Sequence, residues 1–385
     1  MKKVIVRGPL LSISGYGEHA RQVFRWAISR PDFDVRVDIT PWGMTSWHIN
    51  PESEGGLIEK IMQRSNTQGF EADITLQIQL PNEWNPTLGK VNIGVTAAVE
   101  ADKCNPEWVA CCNRMSAVIV PSEFVKGVLT RTGQVNVPCL VVPEAYNSEM
   151  VSNEPGLKLE GIETKTNFLL VGQITGNTPE TDRKNIFFTV KWFCETFKDD
   201  RSVGLIIKTN LGTQSCFLRN QTIDVFKKLI SEVRQGEFPR VHLMTGEMTP
   251  TEIGQLYRSP KVDALISLTK GEGFGLPILE AAANDLPVIA TGWSAHTEFL
   301  SKGKYVKIEY DIAPVHPSKV DNQIFMPGSS WAHPREEDAK KRMKKLSTSK
   351  DVPREWARDL GRKIREEYSI ESVIDKYNVA LKDIV

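Results

Sequence analysis

The sequence has no net charge, no long apolar run and no pattern of metal-binding cysteines. Lys plus Arg and Asp plus Glu each number 48 among the 385 residues, so the formal net charge is zero. A nucleic-acid-binding surface needs an excess of basic residues, and the balanced composition therefore argues against a nucleic-acid partner. Because no run of about 20 apolar residues occurs, we predict no membrane-spanning helix.

The cysteines follow no functional spacing. They lie at positions 104, 111, 112, 139, 194 and 216, and they form no C-x-x-C pair. This favours neither a zinc site nor a disulfide framework, so we expect reduced thiols in a cytoplasmic protein. The first residues, MKKVIVRGPLL, are too briefly apolar for a signal peptide, because Arg7 and Gly8 interrupt the run. We interpret them as a first strand.

Short β-branched segments alternate with amphipathic segments along most of the chain. Candidate strands are KKVIVRG, FDVRVDI, ADITLQI, VNIGVT, AVIVPS and PCLVVP, followed by NFLLVG, SVGLIIK, RVHLMTG, VDALISL, LPVIAT and KYVKIEY. Such alternation indicates parallel sheets covered by helices on both faces. The chain is too long for one ordinary core, and the polar segment 147–165 is a predicted linker. We therefore expect two doubly wound domains with a ligand site at the carboxyl ends of their strands.

The stretch KGEGFGLPILEAAANDLPVIATG, residues 270–292, follows the strand VDALISL and predicts a glycine-rich turn, a helix and the buried strand LPVIAT. Glycines allow a sharp turn and a close approach to a ligand, and Pro277 is tolerated only near a helix start. The unpaired N–H groups of such a helix start suit a phosphate, and Glu272 and Glu280 flank it. A nucleotide sugar has phosphates in its middle and hydroxyls at both ends. The alternative is a common structural turn, because the helix dipole alone favours glutamates there.

Two glutamates separated by seven residues, E272-GFGLPIL-E280, resemble the signature of retaining GT-B glycosyltransferases of family 4, the glycosyl transferases group 1. Further stretches also resemble this family over nearly the whole chain: GPLLSISGYGEHARQV, EWVACCNRMSAVIVPSEFVKGVL, DRKN and GSSWAHP. The resemblance implies an α/β fold of two Rossmann-like domains facing each other across a cleft. Residues 1–150 would form the acceptor domain and 151–367 the donor domain, with a helix of about 368–385 packing back on the first.

The resemblance also implies roles for individual residues. Glu280 would hold the donor ribose, Glu272 would face the sugar and the diphosphate, and Lys184 would neutralise the diphosphate. Gly15 and Gly17 would let the N-terminal loop close over the donor. The catalytic assignments are Glu272, Glu100 and Lys184, and the donor-binding assignments are Gly15, Gly17, Arg183, Lys184, Lys208, Gly273, Phe274, Gly275, Leu276 and Glu280. No cofactor and no metal are expected, because N–H donors and a lysine can stabilise a leaving diphosphate.

The sequence departs from the family pattern at two places. Gln173 stands where many relatives carry an arginine, and Arg183 or Lys208 is the expected replacement. The stretch VTAAVEADKC lacks the family's N-domain histidine, and Glu100 resembles a subgroup with an acid there. Asp32 imitates the first position of a metal-binding D-x-D motif, but its place between a proline and a strand favours a turn.

These observations predict a retaining glycosyltransferase that moves a hexose from a nucleotide-diphosphate sugar to a hydroxyl of a glycan, lipid or small molecule. The alternatives are a nucleotide-sugar epimerase of GT-B fold and a non-catalytic nucleotide-sugar-binding module. The basic cluster 340–345 is most simply a solvated helix face, with peripheral contact to anionic lipid as the second interpretation.

Four further side chains have open roles at this stage. His296 begins a predicted helix just after a strand end that would face the cleft, so it is a candidate ligand-facing residue. Trp42, Trp47 and Trp331 either stack on a saccharide or pack in the core. We also expect Glu272 and Glu280 to border an open cleft, so that replacing either one leaves folding little changed.

Overall fold

The computed structural model describes residues 1–98, 100–213 and 215–385. Its contacts divide the chain into two compact units. Unit 1 contains residues 1–145, 322–326 and 368–385, and unit 2 contains residues 146–321 and 327–367. The predicted boundary lies after residue 150 instead, and the prediction includes residues 322–326 in the second domain. Phe325 is buried, and Asn105 donates to the carbonyls of Asn322 and Gln323 at 3.4 and 3.3 Å, which ties this segment into unit 1.

Unit 1 is built on a parallel sheet whose strands are the first six predicted ones. The strands are β1 (Lys2–Gly8), β2 (Phe33–Ile39), β3 (Ala72–Ile78), β4 (Gly89–Val95), β5 (Ala117–Val120) and β6 (Cys139–Val141). Their order in the described residues is β2-β1-β3-β4-β5-β6. The helices between them are α1 (Gly15–Ser29), α2 (Ser53–Gln63), α3 (Pro106–Cys112) and α4 (Glu123–Thr132).

Unit 2 repeats this plan with the other six predicted strands. They are β7 (Thr166–Val171), β8 (Val203–Lys208), β9 (Arg240–Met244), β10 (Ala264–Ser267), β11 (Val288–Thr291) and β12 (Val306–Ile308). The order in the described part of the chain is β12-β11-β10-β7-β8-β9, and the pairs are parallel. An antiparallel pair that the sequence did not predict follows, β13 (Tyr310–Pro314) with β14 (Ser330–Pro334).

The helices of unit 2 are α5 (Ile186–Thr196), α6 (Cys216–Val233), α7 (Pro250–Tyr257), α8 (Leu276–Ala283), α9 (His296–Leu300), α10 (Glu336–Thr348) and α11 (Asp351–Glu367). The last helix, α12 (Ile370–Ala380), belongs to unit 1. There Tyr377 stacks on Trp26 with ring centroids 5.4 Å apart, and the Trp26 indole donates to Asn378 at 2.9 Å.

Each sheet has a core of β-branched and aromatic side chains. In unit 1 the alternating residues Val4, Val6, Val35 and Val37 are buried, and in unit 2 the central strands are buried on both faces. Strands buried on both faces are typical of parallel sheets covered by helices. The prediction of an α/β fold with two parallel sheets is therefore confirmed.

Candidate functional site

The glycine-rich turn between β10 and α8 is the centre of the site in unit 2. Gly275 has a φ of 102°, a left-handed conformation that glycine adopts without strain. A Cβ at this position would also lie 3.0 Å from the Cβ of His296. Pro277 occupies the first turn of α8, as predicted. Pro277 has no N–H, and the amides of Ile278 and Leu279 donate to the carbonyl of Gly275 at 3.0 and 3.1 Å. The Leu276 amide and the backbone of the turn before it are therefore the groups at this end of α8 that could contact a phosphate.

Glu272 lies in this turn and forms the centre of a charged cluster. Lys184 Nζ donates to both of its carboxylate oxygens, at 2.7 and 2.8 Å. Arg183 Nη1 lies 3.3 Å from Glu272 Oε2 and donates to the carbonyl of Gly271 at 2.6 Å. The Glu272 side chain is only 6% exposed, whereas that of Lys184 is 22% exposed. Arg183 and Lys184 of the DRKN stretch thus both contact the carboxylate of Glu272, the first glutamate of the E272-GFGLPIL-E280 motif.

The charges around Glu272 determine its ionisation. Burial by itself raises the pKa of a carboxyl group, but the Lys184 and Arg183 charges and the Lys184 hydrogen bonds outweigh it. Together they lower the Glu272 pKa from 4.5 to about 2. Glu272 is therefore a carboxylate at neutral pH, and it cannot serve there as a proton donor.

The expectation that both glutamates border an open cleft is wrong. The residues Glu272 and Glu280 are only 5% and 8% exposed. Two cations compensate the charge of Glu272, which permits its burial. Glu280 lies in α8 and accepts a hydrogen bond from the Tyr257 hydroxyl at 3.3 Å. Burial and the neighbouring Glu280 charge raise the pKa of Tyr257 well above its ordinary value, so this hydroxyl remains a donor.

The segment between β7 and α5 carries both cations and is held by Asp182. The Asp182 carboxylate accepts from the amide and hydroxyl of Thr175 at 3.0 and 2.9 Å and from the amide of Ile186 at 2.6 Å. Arg183 follows directly, so the predicted replacement for the missing arginine does lie beside Glu272. Lys208 instead donates to the carbonyl of Gly246 at 2.7 Å, and burial lowers its pKa.

His296 supports the turn from the side of β11. Its ring is completely buried, with Nε2 2.7 Å from the Thr291 carbonyl and Nδ1 3.3 Å from Ser294 Oγ. Ser294 Oγ accepts from the Glu272 amide at 2.9 Å. Burial lowers the His296 pKa despite its hydrogen bond to Thr291. His296 therefore orders the turn that carries Glu272, a role that the sequence alone did not indicate.

A cavity of about 140 Å³ lies at the carboxyl ends of β8 and β9, also within unit 2. Its lining includes Asn210, Thr213, Arg219 and Thr245. The Asn210 side chain exchanges two hydrogen bonds with the backbone of Gly246, at 2.8 and 3.2 Å. The cavity is thus bounded by polar groups and a fixed backbone turn.

The predicted site residues of unit 1 are Gly15, Gly17 and Glu100. A Cβ at Gly17 would lie 2.0 Å from the Ser12 carbonyl oxygen, so the first loop requires glycine there. Gly15 is the exposed first residue of α1. The Tyr16 hydroxyl is 2.9 Å from Thr96 Oγ1. Burial first, and the Glu100 charge to a smaller extent, raise the pKa of Tyr16.

The tryptophans have different environments. Trp42 stacks on Tyr16 with ring centroids 3.9 Å apart, whereas Trp47 is 42% exposed. Trp331 is completely buried and packs against Lys270, with Nζ 5.6 Å from the ring centroid. Trp331 is therefore a packing residue.

Asp32 of the D-x-D sequence is paired with a neighbouring arginine. Asp32 accepts two hydrogen bonds from Arg30, both at 2.9 Å. Over the described ranges no group of three or more His, Cys, Asp or Glu side chains could hold a metal ion. In the same ranges no helix combines the length and the apolarity that crossing a membrane requires.

Sequence reasoning missed three residues that support the predicted ones. They are Tyr257 beside Glu280, Ser294 beside Glu272, and Lys270, which begins the quoted stretch. Lys270 carried a signal, a charged residue three positions after a buried strand, whereas no motif assigned a role to Tyr257 or Ser294.

Comparison with known proteins agrees with this architecture. Residues 223–313 match the model of the family glycosyl transferases group 1. No curated protein sequence matches the chain. The sucrose-phosphate synthase of Thermosynechococcus elongatus has a similar structure, with a TM-score of 0.66, 12% identity and coverage of 100% of this chain and 99% of that one.

Two further structures are similar over nearly their full lengths. HepE of Anabaena, in complex with UDP and glucose, gives a TM-score of 0.63, 12% identity and complete coverage of both chains. A glycosyltransferase from Rickettsia africae gives 0.63, 16% identity and 99% coverage of each chain. At such identities the likeness shows the fold. The chain therefore has the GT-B fold of two Rossmann-like domains, and the segment from β9 to β13 is similar to the glycosyl transferases group 1.

Proposed function

We propose that this protein is a retaining glycosyltransferase that moves a hexose from a nucleotide-diphosphate sugar to a hydroxyl acceptor. The observation that supports the proposal best is the buried cluster of Glu272, Arg183 and Lys184 at the start of α8. The family match over residues 223–313 covers the segment that carries Glu272 and Glu280. The retaining course is proposed from the resemblance of the stretch E272-GFGLPIL-E280 to the retaining glycosyltransferases of family 4.

Cleavage of a sugar–diphosphate bond leaves negative charge on the diphosphate. N–H groups and cations placed in advance at that position stabilise the transition state. An ammonium group has three N–H donors, so Lys184 can contact both oxygens of Glu272 and a phosphate oxygen at once. Glu272 would thus act as a fixed anion that orients Lys184, with the sugar hydroxyls on its other side. Its low pKa excludes general acid catalysis by Glu272 at neutral pH.

Glu280 is proposed to bind the donor ribose. It lies one turn into α8, beyond the glycine-rich turn that would receive the phosphates. Tyr257 fixes one of its oxygens, and a carboxylate can accept several hydrogen bonds. The cavity beside Asn210 and Gly246 is the proposed place of the base. Since HepE is in complex with UDP and glucose, UDP and UDP-glucose are the first ligands to test.

Unit 1 is proposed to bind the acceptor, which can be a glycan, a lipid or a small molecule. The exposed Trp47 offers an aromatic face for it. On the resemblance alone, Glu100 is the proposed catalytic carboxyl residue of this unit, and Gly15 and Gly17 belong to its proposed donor-facing loop. Lys208 remains a proposed donor contact through the adjoining turn at Gly246.

A binding experiment tests the donor site first. UDP at 100 times its Kd should stabilise the protein by about 2.7 kcal/mol and raise its Tm by a few degrees. Glu280→Gln keeps a partner for Tyr257 but loses the charge that strengthens hydrogen bonds to ribose. We expect this variant and Glu280→Ala to lose about 1.5–3 kcal/mol, or about 10- to 150-fold in affinity. Glu232→Ala, on the exposed face of α6, is the matched control.

A turnover assay then separates the alternatives. A glycosyltransferase requires an acceptor for efficient release of UDP, an epimerase releases it without one, and a binding module gives binding without turnover. Binding of NAD with no response to any UDP-, GDP- or ADP-linked sugar would refute the proposed function.

A further inference from the structure

Lys270 is a buried lysine directly behind the Glu272 turn. The residue is 1% exposed, and its Nζ donates to the carbonyls of Pro179 and Glu180 at 2.9 and 3.0 Å. The ammonium group also lies 5.9 Å from the ring centroid of Phe188 and 5.6 Å from that of Trp331. Main-chain carbonyls and aromatic faces therefore surround the charge.

The main chain of Lys270 also forms two hydrogen bonds. Its amide donates to the carbonyl of Arg183 at 2.8 Å, and its carbonyl accepts from the amide of Ala332 at 3.0 Å. Residues 172–185 carry both cations of the site, and Lys270 contacts this segment at residues 179, 180 and 183. The Arg183 side chain adds a bond to Gly271. Four hydrogen bonds thus join the segment to the two residues that precede Glu272.

We propose that Lys270 is a positioning residue that holds the segment 172–185 in place, so that Arg183 and Lys184 meet Glu272 and a bound diphosphate. The identity of the ligand as a diphosphate rests on the proposed function. The contacts between Lys270 and the segment are independent of it. Lys270 touches neither the reacting atoms nor the carboxylate of Glu272. Its effect is transmitted through the carbonyls of Pro179, Glu180 and Arg183.

Burying an ammonium group costs desolvation free energy, which favourable interactions of the Lys270 side chain must offset. An apolar side chain of similar volume would avoid the cost of burying a charge, but it would leave the carbonyls of Pro179 and Glu180 without this donor. Charge-assisted hydrogen bonds are roughly twice as strong as neutral ones. The charge therefore strengthens the hold on the segment beyond what packing alone provides.

If the charge of Lys270 holds the segment 172–185, UDP binding should depend on the ionisation of Lys270. A role in packing alone would give no such pH dependence. Burial lowers its pKa to about 8, although Asp182 and Glu180 act in the opposite direction. His333 of β14 also faces it, and its own pKa is lowered by burial and by Lys270. Between pH 7 and 9 Lys270 loses most of its charge, whereas the pKa values of Glu180 and His333 are both lowered and lie below this interval. The hold on the segment should weaken over this interval.

The test measures UDP affinity by calorimetry at pH 7 and pH 9. Lys270→Met should bind UDP about 10-fold more weakly at pH 7, equivalent to about 1.4 kcal/mol. Wild type should weaken by about 3-fold or more between the two pH values relative to Lys270→Met, because the charge-assisted bonds are lost. The titration of UDP itself cancels in this comparison. Lys270→Arg, which stays charged, should restore pH-independent binding if it restores affinity.

The matched control is Lys344→Met. Lys344 also lies over an aromatic ring, 5.3 Å from the centroid of Phe197, but on the exposed face of α10. It should leave UDP affinity and its pH dependence unchanged. Equal affinity of wild type and Lys270→Met, or the same pH dependence in both, would overturn the proposal.

A second measurement keeps the test independent of the ligand. Hydrogen exchange of the amides in residues 172–185 should become at least about 10-fold faster in Lys270→Met, with Lys344→Met unchanged. Unchanged exchange in Lys270→Met overturns the role of Lys270 even if UDP does not bind. Failure of wild type to bind UDP, with faster exchange in the variant, would count against the donor and leave the positioning role supported.

Discussion

Replacing Glu272 by glutamine should destabilise unit 2 strongly at neutral pH and less in acid. Glutamine keeps the shape of the side chain and one acceptor for Lys184. The main change is therefore the loss of the negative charge. The native Glu272 pKa is about 2 against an ordinary value of 4.5. A difference of this size corresponds to about 3 kcal/mol in favour of the carboxylate. Breaking a buried ion pair by removing one partner costs a similar 3–5 kcal/mol.

The sign of the pH dependence follows from the direction of the pKa shift. A carboxyl group whose pKa is depressed by folding contributes its stability above its unfolded pKa and loses it as the pH falls towards its folded pKa. The free energy of unfolding of wild type should therefore exceed that of Glu272→Gln by about 3 kcal/mol at pH 7 and by about 2 kcal/mol at pH 3.5. Urea unfolding followed by tryptophan fluorescence measures the difference.

Glu367→Gln is the control for this experiment. Glu367 pairs with Lys302 at 2.7 Å, but both side chains are about 40% exposed. Exposed pairs contribute about 0–1 kcal/mol, so the control should change little. A loss below about 1 kcal/mol in Glu272→Gln, or a difference from wild type that does not change with pH, would refute the charged cluster as an energetic unit.

Three other outcomes are expected. Gly17→Ala should lower the free energy of unfolding of unit 1 by about 1–3 kcal/mol or more, because the new Cβ would collide with the Ser12 carbonyl. The control is Gly127→Ala within α4, whose new Cβ would approach only a flexible side chain. This control should raise the Tm slightly or leave it unchanged. Tyr257→Phe should weaken UDP binding about 2- to 12-fold without unfolding the protein, since one hydrogen bond to Glu280 is lost; unchanged affinity would contradict its role. EDTA should leave glycosyl transfer unaffected, and loss of activity that manganese restores would return attention to a metal.

The periodicity of the sequence determined the two parallel sheets. All twelve predicted strands are found, because continuous β-branched runs between amphipathic segments suit only strands that helices cover on both faces. The pair β13 and β14 was missed. Its strands are five residues each and far apart in sequence, and β13 has no buried residue whereas β14 is mostly buried. Neither alternation nor a short turn therefore marks them.

Local sequence also determined the turn that carries the candidate site. Gly275 with a positive φ, Pro277 in the first helical turn, and Glu272 and Glu280 on either side follow from residue types and short spacings. Such features depend on backbone conformations within a few residues, which each residue type restricts directly. The placement of Lys184 beside Glu272 came from the resemblance, since 88 residues separate the two.

Only the tertiary structure decided the burial and the ionisation of the site. Glu272 looked like an exposed acid in the sequence, yet its exposure and its pKa depend on Arg183 and Lys184, which another loop brings to it. The same holds for Tyr257 beside Glu280 and for Lys270 beneath the carbonyls of Pro179 and Glu180. Burial and charge pairing are properties of neighbours in space, and a single sequence specifies neighbours only along the chain.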